Sequence, residues 1–235
     1  MSNKEKTTQQ EGMQNVESAL NRTESWFERN KKIVIIIFAA IIVIGLGILA
    51  YFKFIREPRI AAAQAELTQA EYAFEQESFD TALNGNDVEG TLGFAGIVEE
   101  YGNTPAGNAA RYYAGVCCMR TGEYDKAIEY LQEFESSDPM VGPMAIALIG
   151  DANMELGHTD EAIAKYKEAA EKANNDFLTP IILKKLGDTY FVTKKYSDAL
   201  ETYQTIVDKY YYLFGSQQRV QLDKAITRTK TILGK

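Results

Sequence analysis

Twenty consecutive residues from Ile33 to Phe52, IVIIIFAAIIVIGLGILAYF, carry no charge. A helix rises ~1.5 Å per residue, so this run predicts one long enough to span the ~30 Å hydrocarbon core of a bilayer. Arg29, Lys31 and Lys32 fence one end and Lys53, Arg56 and Arg59 the other. Trp26, Phe27 and Tyr51 sit where interfacial aromatics belong. The polar lead of 32 residues, and the lack of an A-x-A-like site after the run, predict an uncleaved anchor rather than a removed signal peptide. Within the lead, MSNKEKTTQQEG reads as disordered, and Met13, Val16, Leu20 and Phe27 then fall on one stripe of an amphipathic helix.

Past the run the apolar positions keep a helical period, and the pattern itself recurs. GEYDKAIEYLQEF from Gly122, GHTDEAIAKYKEA from Gly157 and KKYSDALETYQTI from Lys194 align, with Ala127, Ala162 and Ala199 spaced by 35 and 37 residues. Gly115, Gly150 and Gly187 lie upstream at the same separations. Recurrence at this period predicts stacked helical hairpins. The small residues let antiparallel helices approach closely, Gly150 opposite Ala162, while Leu131, Tyr166 and Tyr203, with Phe134, Ala169 and Ile206, fill the space between hairpins. Pro58, Pro105, Pro143 and Pro180 fall where helices should begin, with Thr104 and Thr179 placed to cap two of them.

The fold class is therefore all-α: one N-terminal transmembrane helix, then an α-solenoid of antiparallel hairpins closed by a C-terminal capping helix. The expected layout is a tail over 1–32, the membrane helix over 33–52, an alanine-rich helix with a degenerate hairpin over 53–107, three full units over 108–214 and the cap over 215–235.

Charge divides the chain unevenly. Residues 1–59 are net +3, residues 60–183 net −16 and residues 184–235 net +5. So acidic a domain argues against nucleic acid, where binding rests on phosphate neutralisation by Lys and Arg; the basic last stretch reads as a solvated face. Within 20 residues of the apolar run, four basic residues precede it and three follow, which places the N-terminus in the cytoplasm by the positive-inside rule. Cys117 and Cys118 are neighbours on a helix, unable to form an ordinary disulfide, and the single histidine, His158, lies 40 residues away. No nucleophile elbow, P-loop or dinucleotide turn is present. These absences predict neither metal nor cofactor, and a protein that is not an enzyme.

The repeated small and bulky positions resemble those of the tetratricopeptide-repeat (TPR) family, with the glycines at position 8, the alanines at position 20 and Pro139 at position 32 of the first unit. The match departs at position 4, where Arg111, Ile146 and Leu183 replace tryptophan. The resemblance implies a partner-binding groove lined by positions 2, 5, 9, 12 and 13. Those are Ala109, Tyr112, Val116, Met119 and Arg120; Met144, Ala147, Asp151, Met154 and Glu155; and Ile181, Lys184, Asp188, Phe191 and Val192. Tyr112 and Val116 stand where a dicarboxylate clamp needs lysine and asparagine, so chaperone-tail binding by that device is not implied.

The whole layout, with the blocks VESALNRTESWFERNKK, EEYGNTPAGNAARYYAG and NDFLTP, resembles the YfgM-like family of bacterial inner-membrane TPR proteins. That resemblance implies a periplasmic domain ancillary to the SecYEG translocon and its chaperones, with unfolded or chaperone segments as partners. The segment FAGIVEEYGNTPAGNAARYYAG is also similar to TPR modules of periplasmic envelope proteins, which implies as an alternative an adaptor in an envelope assembly or division complex.

Overall fold

The computed structural model describes the backbone of residues 2–86, 88 and 90–235, and the side chains of residue 26 and of the described residues from 28 onward. Two units make up the chain, residues 1–58 and 59–235.

The first unit is α1 (Ser2–Tyr51) followed by a π-helical turn, Phe52–Arg56. α1 begins within the stretch read above as disordered; the side chains of Met13, Val16, Leu20 and Phe27 lie outside those described. Its apolar run is long enough to cross a membrane, and none of its most apolar window is buried. Ile35, Phe38, Ile42 and Leu49 each expose more than half their surface, so no protein core covers them. The π-turn has a local cause. Pro58 has no N–H to donate, and its ring presses on the preceding turn. Widening that turn, with the Glu57 N–H reaching back five residues to the Phe52 carbonyl, accommodates it. Pro58 thus sits in a helix entered through a π-turn rather than at a fresh helix start.

The second unit begins within α2 (Glu57–Glu75) and continues with α3 (Phe79–Asn84), a two-stranded ribbon of β1 (Gly85–Asn86) and β2 (Thr91–Leu92), and α4 (Phe94–Tyr101). Three helix pairs follow: α5 (Pro105–Thr121) with α6 (Tyr124–Glu133), α7 (Val141–Glu155) with α8 (Thr159–Ala173), and α9 (Leu178–Val192) with α10 (Tyr196–Tyr210). A 3₁₀ turn at Tyr211–Leu213 leads to α11 (Ser216–Leu233). The all-α solenoid is therefore present. α3 and the antiparallel ribbon, paired Gly85 with Leu92 and Asn86 with Thr91, elaborate what reads in sequence as a simple break.

Helix starts follow side-chain chemistry. The Thr104 hydroxyl accepts from the Gly107 N–H at 3.0 Å, with Pro105 as first helical residue. Thr179 does not cap α9; it is buried inside it, and Asn175 takes the role, its Oδ1 accepting from Phe177 N and Leu178 N. Asp138 does the same for α7 through Met140 N and Val141 N. Asx caps thus stand one repeat apart, at Asp138 and Asn175, and only the second replaces an expected threonine.

The core forms two large clusters joined by a small one. The first gathers α2 to α6 around Leu67, Phe94, Ile97 and the thiols of Cys117 and Cys118. The second gathers α7 to α11 around Tyr166, Ile182, Tyr203, Ile206 and Leu222. Between them only Leu131, Ala145 and Ile149 are fully buried. The cause is α6, which has 10 residues where α8 and α10 have 15. Serines at 136 and 137, then Asp138 before Pro139, disfavour helix, and the backbone turns extended at Phe134.

Candidate partner-binding groove

The first helix of each pair carries its glycine against a bulky side chain of the second. A Cβ on Gly115 would lie 2.5 Å from Leu131, on Gly150 2.7 Å from Tyr166 and on Gly187 2.5 Å from Tyr203. The tight contact is thus glycine to the residue at position 24. Ala127, Ala162 and Ala199 are each fully buried nearby in the same hairpins.

The two tyrosines reach across the pair to an acid. Tyr166 donates to Asp151 Oδ1 at 2.7 Å, and Tyr203 donates to Asp188 Oδ1 at 2.7 Å. Burial first, and then the hydrogen bond to the carboxylate, pushes both phenols far above their usual range. Lysines complete each set. Lys185 Nζ lies 2.7 and 2.8 Å from the two oxygens of Asp151, tying α9 to α7, and Lys184 Nζ lies 2.9 and 2.7 Å from those of Asp188. In the first pair the acid is Val116 and the tyrosine Leu131, an apolar version of the same unit.

Around these sets lies a groove of about 470 Å³ lined by Met119, Asp151, Met154, Glu155, Tyr166, Lys185, Asp188, Thr189 and Val192. Of the positions named from sequence, the structure brings Met119, Asp151, Met154, Glu155, Asp188 and Val192 together here. No residue of α2 or α11 lines it. The remaining positions fall elsewhere. Ala147 is buried in the second core cluster. Tyr112 packs on Phe134, with ring centroids 5.3 Å apart, and belongs to the small joining cluster with Val116 nearby on α5. Arg120 lies over the Phe79 ring at 5.6 Å. Lys184 is occupied with Asp188, and Phe191 is covered by the Arg228 guanidinium of α11 at 4.5 Å.

Lys185 and Thr189 join the lining without having been foreseen, because they stand outside the family's groove positions. One signal was present: Lys185 follows Asp151 by 34 residues, one repeat period.

A second cleft of about 600 Å³ opens beside the shortened α6, floored by Leu131, Phe134, Ile146 and Ile149 and edged by Lys165, Glu168 and Lys172. His158 is exposed in the turn before α8. Among the described residues, no group of three or more His, Cys, Asp or Glu is arranged to hold a metal.

Comparison with known proteins agrees with this architecture. Residues 94–139 and 148–211 match the family model described as tetratricopeptide repeat. No protein of curated function matches the sequence. The crystal structure of MamA is similar, with 20% identity, a TM-score of 0.55 and coverage of 70% of this chain and 84% of that one. TPR-like repeats of a Podosopora anserina protein described as a kinesin light chain are similar at 13% identity and TM-score 0.57, covering 74% and 88%. BtubC from P. vanneervenii is similar at 14% identity and TM-score 0.53, covering 76% and 84%. At such identities these likenesses speak to the fold alone. Three helix pairs repeat one glycine-centred contact, and the family model matches residues 94–139 and 148–211; the fold of the second unit is a tetratricopeptide-like solenoid of helix hairpins.

Proposed function

We propose that the chain is a membrane-anchored scaffold that binds protein segments in the groove between its repeats and has no catalytic role. The observation that carries this reading is the groove, where exposed Val192 and half-buried Met119 and Met154 leave apolar surface along the wall and no residue of α2 or α11 contributes to the lining. Methionine is flexible and polarisable, and suits contact with segments of varied sequence. α1 supplies the anchor, and the slight excess of basic residues before its apolar run puts the N-terminus in the cytoplasm and the repeats on the far side.

The resemblance to the YfgM-like family supports a finer reading: a bacterial inner-membrane protein whose periplasmic repeats assist translocation or chaperone handover of secreted chains. Partners are then unfolded segments or periplasmic chaperones.

Two measurements test this. Protease added to spheroplasts should digest the repeat domain and spare a tag on the N-terminal tail; protection of the domain would reverse the topology and end the secretion reading. Affinity purification from solubilised membranes should recover translocon or chaperone proteins with the wild type and lose them with Met119→Ser/Met154→Ser. Recovery of one folded envelope protein in fixed stoichiometry would instead favour the adaptor reading.

A further inference from the structure

We infer that the groove selects apolar segments that carry a basic residue, and that Glu155 is the group that recognises the charge. The inference rests on the groove reading above and adds the chemistry of the occupant.

One charge in the groove is left over. Three carboxylates and one ammonium line the groove: Asp151, Glu155, Asp188 and Lys185. Asp151 accepts from both Tyr166 and Lys185, and Asp188 from both Tyr203 and the adjacent Lys184. Each aspartate is thus held by a phenol and neutralised by its own lysine. Glu155 stands one helical turn beyond Asp151 on α7, exposed, and makes no hydrogen bond or ion pair among the described residues. Its charge is felt within the groove, where it adds to the upward push on the Tyr166 phenol. The residue at the same repeat position one unit earlier, Arg120, is held over Phe79 and does not line the groove. One unit later the position is Val192, which exposes apolar surface.

An occupant therefore meets a single uncompensated negative charge flanked by Met119, Met154 and Val192. An apolar stretch interrupted by lysine or arginine satisfies both: its apolar side chains cover the methionines and its cation meets Glu155. A stretch bearing glutamate or aspartate would face like charge. This is the reverse polarity of a carboxylate clamp.

The test uses the full chain in nanodiscs of zwitterionic lipid, with empty nanodiscs subtracted. Three fluorescent peptides of about ten residues, an identical Leu/Ala/Ser sequence with a central Lys, Gln or Glu, are titrated by anisotropy. The wild type should bind the Lys peptide about two- to fivefold more tightly than the Gln peptide, as one partly exposed ion pair allows, and the Glu peptide more weakly than either. The ratio should fall to near one in Glu155→Gln, and invert in Glu155→Lys. A Lys-to-Gln ratio near one in the wild type, or one that survives Glu155→Gln, overturns the inference. If in that case the Gln peptide still binds and Met154→Ser weakens it, the groove reading stands alone. If no peptide binds the wild type, both fall.

Discussion

At the scale of single residues, the repeat is organised around a glycine, the residue after it and the bulky residue at position 24. Where the middle residue is aspartate the bulky one is tyrosine, at 150/151/166 and 187/188/203; where it is valine the partner is leucine, at 115/116/131. A buried hydroxyl demands an acceptor, and an apolar neighbour demands none. Asp151→Val should therefore strand the Tyr166 hydroxyl and cost about 1–3 kcal/mol. Asp151→Val/Tyr166→Leu, which copies the first pair, should recover most of that in a double-mutant cycle read by denaturant titration. Additive losses would show the two residues to be independent. Gly150→Ala drives a methyl to 2.7 Å from the Tyr166 ring and displaces that ring from Asp151. A loss of about 1–3 kcal/mol is the usual cost of such overpacking, and an unchanged melting temperature would refute the contact.

At the scale of elements, the two vicinal cysteines turn α5 into its own reporter. Both thiols are fully buried, and burial pushes Cys117 up to about 12 and Cys118 up to about 11. An aromatic disulfide reagent should label neither in the folded protein at neutral pH and both in urea, since the thiolate is the reactive species. Rapid labelling of the native chain would place α5 at the surface. These thiols and the Tyr166 and Tyr203 phenols keep their protons in the folded state at pH values where an unfolded chain loses them. Their contribution to stability is complete below about pH 8.5 and is lost progressively as the pH rises from there. The melting temperature of the repeat domain should accordingly fall steadily between pH 8 and pH 11. Cys117→Ala/Cys118→Ala should start lower but decline less steeply.

Element type and repeat register were legible in the sequence because helical period and small-residue spacing are local signals. The apolar helical run, the three pairs and the cap needed nothing more. α3 and the β1–β2 ribbon were not, since they arise from how the stretch 76–92 closes against α2, where Glu66 accepts from the Leu92 N–H. The cap of α9 stands at Asn175 rather than Thr179, because the Asn175 side chain accepts from the N–H groups of Phe177 and Leu178 while the Thr179 hydroxyl reaches back to the Asn175 N–H. In the groove, family positions located Met119, Asp151 and Met154. Which carboxylates are neutralised depends on Lys185 reaching across a repeat, a long-range contact that local sequence pattern does not carry.

At the scale of the whole repeat domain, the short α6 has a mechanical consequence. An array of stacked repeats is held by nearest-neighbour interfaces, and it yields first at the weakest. Here two broad cores meet through three fully buried residues, Leu131, Ala145 and Ile149, beside an exposed extended stretch whose Glu135 backbone is held by the Asn108 side chain alone. That joint behaves as a hinge pin, and limited proteolysis with a glutamate-directed enzyme should cut first at Glu135, separating the halves. The groove straddles the pin, since Met119 belongs to the half before it and Met154 to the half after. A segment lying across both would act as a splint. Its binding should slow cleavage at Glu135 in proportion to occupancy, and the stiffness of the array would then report whether the scaffold is loaded.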